Sequence, residues 1–369
     1  MRKSVKSVRK KNNQENLVSI IVPCRNEERF ILKCLRSIKL FKLPEKVKIE
    51  ILVVDGRSTD RTLKIIKKVI ARNPSIRLLD NPGITQSSAL NIGLSAARGG
   101  RIMRLDAHTL YPPDYLEKCY ETAVRTKADN VGGICITEPG GRGYQAQLVQ
   151  ALTTHKFGVG NSGFRTSAKE GPKDTVPFGF FDRKVFYKIG LFDERLIRAQ
   201  DYEFNRRIIA LGGVVWLNPK IKSRYFNQKS ISDFYCKQFL KEAPYNAYMW
   251  YLAPYSFTPR HAITGIFTTG VLGGIMFAPL FPVAIGIPFA GVMGLYFILA
   301  IFSSIQQTIR NKNLMHLFIL PFAFFFYHFI HGLGLLTGLL RLATCTSPVQ
   351  KVNNPLPGAG MSPKITIVK

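Results

Sequence analysis

Two short apolar runs in this chain end in acids: Val53-Val54-Asp55-Gly56-Arg57-Ser58-Thr59-Asp60 and Arg104-Leu105-Asp106-Ala107-His108. A strand that delivers a carboxylate at its C-terminal end, used twice, is how an open α/β sheet builds a nucleotide crevice. Asp106 and His108 flank a small alanine, so on an extended backbone both point the same way. Together they can reach one divalent cation, Mn2+ or Mg2+, and the imidazole favours Mn2+ over the oxygen-seeking Mg2+. The plainer role for His108 is a hydrogen-bonding loop histidine. Asp55, at a strand end, can accept from a base N–H or a ribose hydroxyl, whereas Asp60 reads as a helix cap. Asp201 follows a loop and begins a helix, where a cap is again the plain alternative.

The elements that must hold these residues alternate. Leu17–Pro23 is a compact apolar run ended by proline, the pattern of a buried parallel strand. Glu27–Ile38 follows with helical spacing. Ile49–Val54 predicts a second strand, and Thr62–Ala71 a helix capped by Thr59 or Asp60. Ile76–Leu79 is a third strand, Gln86–Ala97 a helix stopped by Gly99-Gly100, and Ile102–Leu105 a fourth strand. This βαβαβαβ rhythm predicts a mainly parallel sheet with right-handed crossovers. Beyond it come a helix at Pro113–Thr126, strands at Asn130–Ile136 and Val176–Phe181, and a helix at Asp201–Leu211. Pro139–Lys173 reads as a long loop without periodicity, functional or disordered.

The 369 residues divide into a front with ordinary globular composition and an apolar back. No charged residue occurs between Ala262 and Ile309, too long a run for a core helix. Segments at about 262–281, 283–305 and 314–340 can span a membrane, the last also as a re-entrant piece permitted by Pro321 and Gly332–Gly338. Phe239–Tyr255 is aromatic and mildly amphipathic, suiting an interfacial helix over 236–260, with a core helix as the alternative. The net charge of +29 comes with no nucleic-acid-binding motif. Beside a membrane it implies adhesion to anionic lipids, at roughly 1 kcal/mol per surface Lys or Arg. Residues 1–16 read as a basic disordered tail and 342–369 as a flexible one. The six cysteines lack paired spacing, and no secretory signal precedes the first strand, so the front domain is expected in the cytosol.

Taken in order, Ser19–Glu28, Val53–Asp60, Ser88-Ala89-Leu90-Asn91-Ile92-Gly93, Arg104–His108, Gly190–Glu194 and Gln200-Asp201-Tyr202-Glu203 resemble the inverting glycosyltransferases of family 2. The nearer likeness is to membrane-anchored bacterial enzymes of the succinoglycan type. The resemblance covers about Leu17–Leu211 and implies a GT-A type catalytic domain, residues 17–235, followed by C-terminal transmembrane helices over 261–341. It implies binding of a nucleotide-sugar, a UDP-sugar, by Pro23, Arg25, Glu27, Asp55, Asn91 and Asp106, with Glu27 and Asp55 on the ribose or base. It further implies a divalent cation on Asp106 and His108, where the family commonly has a second Asp, and a general base at Asp201. An acid usually precedes that base; here it is Gln200.

Processive members carry Gln-x-x-Arg-Trp, and Gln238-Phe239-Leu240-Lys241-Glu242 lacks the Arg-Trp, which favours addition of a single sugar. The expected acceptor is a polyprenyl-diphosphate-linked saccharide at the cytoplasmic membrane. The rival readings are a polyprenyl-phosphate sugar synthase and a non-catalytic nucleotide-sensing transport or scaffold protein. Donor sugar, linkage and oligomeric state stay open.

Overall fold

The computed structural model describes residues 16–160, 162–165 and 169–349, which form two compact units. The expected basic tail before Asn16, and the part of the C-terminal tail after Val349, lie outside the described residues.

The first unit comprises residues 16–136 and 169–225. It opens with β1 (Leu17–Cys24), α1 (Ile31–Lys39), β2 (Lys48–Asp55), α2 (Thr62–Ile70), β3 (Ile76–Asp80), α3 (Gln86–Ala96) and β4 (Arg101–Arg104). β5 (Thr109–Leu110), α4 (Tyr115–Thr126) and β6 (Asn130–Glu138) follow. The chain then leaves for α5 (Tyr144–Thr154) and α6 (Lys156–Val159) in the second unit. It returns with β7 (Gly171–Pro172), β8 (Phe180–Asp182), α7 (Arg183–Ile189), α8 (Gln200–Ala210) and β9 (Val215–Phe226).

The sheet runs in the order β3-β2-β1-β4-β8-β6-β9-β5, with β7 beside β9. β1, β2, β3 and β4 pair in parallel, as the sequence rhythm predicts, and β8 joins β4 antiparallel. β1 is buried from Val18 to Cys24, consistent with a strand covered on both faces. Its one polar interior residue, Ser19, donates to Glu50 Oε1 at 2.6 Å and accepts from Gly99 N. Gly99 is therefore no helix stop. α3 already ends at Ala97, whose backbone is extended, and a Cβ on Gly99 would lie 2.4 Å from the Leu17 carbonyl oxygen.

Three further elements differ from the sequence reading. The expected loop at 139–173 contains α5 and α6, whose apolar residues Leu148, Val149 and Leu152 pack into the second unit. The expected strand at 176–181 shortens to Phe180–Asp182, and the long β9 was not foreseen.

The second unit comprises residues 137–165 and 226–349. It holds α5, α6, α9 (Ile231–Lys237), a π-helical turn at Gln238–Glu242, α10 (Ala243–Leu252), α11 (Pro259–Phe277), α12 (Ile287–Asn311) and α13 (Met315–Ala343). Two segments, Pro282–Asn311 and Met315–Ala343, are long and apolar enough to cross a membrane. α12 turns Ile287, Val292, Leu295, Ile298, Phe302 and Ile309 outward, a continuous apolar surface that water would disfavour.

α13 is one uninterrupted helix, with Pro321 inside it. Its glycines serve helix contact instead of a break: a Cβ on Gly332 would meet the Thr264 carbonyl at 2.0 Å, and one on Gly334 the Phe239 carbonyl at 2.6 Å. α10 lies within the segment 236–260. It buries Tyr245, Tyr248 and Met249 within the unit, and Ala243 and Ala247 pack on Leu335.

Candidate active site

The parallel register sets Cys24 beside Asp55 and Asp55 beside Asp80, and pairs Ile21 with Arg104. From β1 the chain builds outward through β2 and β3, then crosses back to place β4 on the other flank of β1. The strand order reverses between β1 and β4, which is where open α/β sheets bind ligands at their carboxyl edge. Glu27 follows β1, Asp55 ends β2, and Asp106 and His108 follow β4, so all four lie on that edge.

Buried Arg104 organises the site. Its NH2 donates to Asp106 Oδ1 at 2.8 Å, and its NH1 donates to Asp201 Oδ2. Asp106 Oδ1 also accepts from Gln86 Nε2 at 3.0 Å, and Gln86 Oε1 accepts from Gln200 Nε2 at 2.6 Å. Gln200 and Asp201 are neighbours at the start of α8, so the bonds close a ring: Asp201, Arg104, Asp106, Gln86, Gln200. The helix is steered by its far side, where Phe204 stacks on Phe192 at 4.3 Å and on Phe186 at 5.3 Å. Burial alone would lower the Arg104 pKa; Asp106 and Asp201 overcome it and hold the guanidinium charged.

Asp201 is half-buried, its side chain 33% accessible. Its Oδ1 is nevertheless a sheltered atom with no hydrogen-bond partner among the described residues. Burial raises its pKa above the usual aspartate value and Asp106 adds to this, against the opposing pull of Arg104 and Arg198. The side chain caps nothing: the helix N-cap is Ala199, in the left-handed region at φ 63°, with no side-chain cap bond. The neighbouring acids are engaged elsewhere. Glu203 is buried against Arg207, Asp193 chelates Arg195, and Glu194 accepts from Asn91.

Asp106 and His108 are not co-aligned by a strand. β4 ends at Arg104, and residues 105–108 form the turn into β5. Each is anchored separately: Asp106 by the ring and by its N–H to Tyr111 Oη at 2.8 Å, His108 by Glu27, whose Oε1 lies 2.9 Å from Nδ1. Asp55 is buried and accepts from Ser58 N at 3.0 Å and Ser58 Oγ at 2.6 Å, which folds the loop after β2. Asp60 does act on its helix, accepting from Thr62 N at 2.9 Å, and it ties the β1 loop through Glu28 N.

Pro23 is buried within β1, and Arg25 is exposed just beyond its end. Asn91 joins two elements. Its Nδ2 donates to the Phe192 carbonyl and Glu194 and its Oδ1 accepts from Phe192 N, so the carboxamide fastens α3 to the loop before α8.

A carboxylate and an imidazole are donor types that a divalent cation takes. Among the described residues no three His, Cys, Asp or Glu side chains converge as a ready-made cage. Asp106, however, spends only Oδ1 on the ring, and Oδ2 has no partner among the described residues. A carboxylate against His108 Nδ1 places the ring lone pair on Nε2. One carboxylate oxygen and one imidazole nitrogen, completed by diphosphate and water oxygens, suit Mn2+.

Sequence reasoning gave no role to Arg104 or Gln86. A charged residue inside the apolar run Ile102–Leu105 was the available signal for Arg104. Gln86 carried none, because an exposed-looking glutamine in the first turn of a helix is unremarkable.

The description "Glycosyl transferase family 2" matches residues 19–190. A Methanococcus voltae protein, dolichyl N-acetyl-alpha-D-glucosaminyl phosphate 3-beta-D-2,3-diacetamido-2,3-dideoxy-beta-D-glucuronosyltransferase, is 30% identical over 345 residues, covering 88% of this chain and 98% of its own. The succinoglycan biosynthesis protein ExoA of Rhizobium meliloti (strain 1021) is 28% identical over 60% of this chain and 66% of its own. Among solved structures, the mannosyltransferase PcManGT from Pyrobaculum calidifontis, in complex with GDP-Man and Mn2+, superposes with a TM-score of 0.59 at 17% identity. It covers 93% of this chain and 95% of that one, which establishes a shared GT-A-like fold. With the motifs in order on the sheet edge and a relative matched over nearly its whole length, the chain belongs to glycosyltransferase family 2.

Proposed function

We propose that this glycosyltransferase moves one sugar from a nucleotide-sugar, with UDP as the carrier, to a lipid-linked saccharide at the membrane surface, with inversion. The observation that carries the catalytic part is Asp201. Its Oδ2 is held by Arg104, its Oδ1 is left without a partner among the described residues, and its pKa is raised by burial. A carboxylate held by one oxygen and unbonded at the other can take the proton of an acceptor hydroxyl. As that hydroxyl oxygen bonds to the sugar's anomeric carbon, the bond from that carbon to the diphosphate breaks, and the proton passes to the Asp201 carboxylate. Asp55 sits on the edge where base and ribose would lie.

Asp106 and His108 would hold a divalent cation, which when bound supplies Lewis-acid stabilisation of the departing diphosphate. The Mn2+ in the Pyrobaculum structure supports this choice of group. A lipid-linked acceptor is supported by the Methanococcus relative, whose name specifies a dolichyl phosphate-linked sugar, and by two segments able to cross a membrane. The polyprenyl-diphosphate saccharide remains the preferred acceptor and the cytoplasmic membrane the location. The catalytic unit faces the cytosol, where the basic break Arg310-Asn311-Lys312 also belongs.

A donor screen tests the reading. Membranes containing the protein are incubated with single nucleotide-sugars, lipids are extracted, and products are weighed by mass spectrometry. One sugar added to a lipid-linked saccharide is the expected result. A sugar on bare lipid phosphate would instead identify a polyprenyl-phosphate sugar synthase, and no lipid-linked product from any donor would refute both.

A further inference from the structure

We propose that Glu27 is a positioning residue for the cation site, its carboxylate orienting the His108 ring so that Nε2 is presented as the ligand atom. This rests on the reading of Asp106 and His108 as the cation ligands.

The link is direct: Glu27 Oε1 lies 2.9 Å from His108 Nδ1. A carboxylate can only accept, so Nδ1 carries the hydrogen and the ring's lone pair falls on Nε2. Metal-binding histidines generally donate their second nitrogen in this way, which fixes the tautomer and makes the ligating nitrogen more basic. Both partners are held from behind. Glu27 N donates to Thr62 Oγ1 at 2.7 Å, and its carbonyl accepts from Phe30 N and Ile31 N at 2.9 Å each. The His108 ring meets Tyr225 edge-on at 5.3 Å, and the adjacent Thr109 pairs with Tyr225 in the β5–β9 ladder.

The position in the sheet gives this contact its use. Glu27 leaves β1 and His108 follows β4, the two neighbouring strands between which the order reverses. A carboxylate–imidazole bond across that point sets the ring where a diphosphate on the carboxyl edge would need it. A carboxylate engaged with imidazole is also partly withdrawn from the ribose or base contact that the motif implies. Glu27 therefore acts on the cation, through His108, more than on the nucleoside.

The test uses the full-length protein in detergent and two binding measurements. Mn2+ affinity in the presence of UDP is read by electron paramagnetic resonance, and UDP affinity in chelator by calorimetry. Glu27→Ala is expected to weaken Mn2+ by about 10–100-fold, the usual effect of removing an outer partner, while UDP affinity in chelator holds. Glu27→Gln keeps an acceptor for Nδ1–H and should recover most of the loss. Thermal melts check folding, and if Glu27→Ala does not fold, Glu27→Asp, which retracts the carboxylate by one methylene, replaces it.

Unchanged Mn2+ affinity in the Ala or Asp variant overturns the proposal. So does a loss in Glu27→Gln as large as in Glu27→Ala, or a fall in UDP affinity in chelator that accounts for the whole effect. His108→Ala separates the two levels. If it binds Mn2+ like the unmodified protein, the ligand reading itself has failed. If it loses affinity while the Glu27 variants do not, only the role of Glu27 falls.

Discussion

Replacing Asp201 by Asn isolates proton transfer from folding, because the two respond to different atoms of the same carboxylate. Asn has the same shape, and its amide oxygen can still accept from Arg104 NH1 at the Oδ2 position. Its NH2 then occupies the Oδ1 position, which has no partner among the described residues, and an unmet buried donor costs about 1–3 kcal/mol. The opposing change is loss of a sheltered negative charge. The folded-state pKa of Asp201 is raised, so its contribution to stability is fully present below the unfolded pKa and lost as pH rises through the folded value. At neutral pH burial of the ionised side chain works against the fold while its ion pairing with Arg104 works for it, and Asn removes both, so these changes oppose one another.

Catalysis has no such opposition. Loss of a general base lowers the rate by about 10²–10⁴-fold, equivalent to roughly 3–5 kcal/mol of barrier. The expected outcome is a melting temperature and UDP affinity close to those of the parent, with transfer to the lipid-linked acceptor reduced by at least two orders of magnitude. The parent's kcat/KM should fall with acidification through a pKa above the usual aspartate value, and the variant's residual rate should lack that limb. Near-normal turnover in Asp201→Asn would refute the assignment, and rate loss matched by unfolding would show that Asp201 is structural.

Chelator should stop turnover, Mn2+ should restore it better than Mg2+, and His108→Asp should shift the preference toward Mg2+; full activity in chelator would exclude the metal. A cysteine at Asn311 should resist impermeant thiol reagents applied outside intact cells, because the basic break belongs on the cytosolic side, and labelling from outside would contradict that topology. Gln200→Glu should lower kcat with little change in donor KM by setting an acceptor against Gln86 Oε1, 2.6 Å away in the parent, and an unchanged or faster rate would show that the ring is not required.

The parallel half of the sheet was legible because burial on both faces leaves an apolar signature, clear in Ile20–Val22 and Ile51–Val54. The antiparallel half was not. β5, β7 and β8 are two or three residues each, too short for any periodicity, and β9 mixes Asn218, Lys220, Lys222 and Arg224 into its run. The segment 139–173 read as loop because glycines and cations flank α5, while the apolar face formed by Leu148, Val149 and Leu152 faces Phe234 and Phe324, far away in sequence. At the site, strand ends located Asp55 and Asp106, but strand alternation was the wrong reason to join Asp106 with His108. What orients those two side chains is Arg104 and Gln86 for one and Glu27 for the other, contacts between elements that no spacing rule encodes.

Gln200 shows how such a contact changes the meaning of a residue. In sequence it stands where an acid is usual and reads as a loss. Asp106, as a carboxylate, only accepts, so Gln86 must turn its NH2 toward it. Gln86 then presents its carbonyl oxygen to α8, and only a donor can meet it there. Gln200 supplies that donor beside Asp201, whereas a carboxylate at this position would oppose the oxygen or force Gln86 to turn its own oxygen against Asp106. The amide at 200 and the amide at 86 are thus one choice, made by the charge on Asp106. Together they tie Asp106 to the helix that carries Asp201, on the side of the ring opposite Arg104.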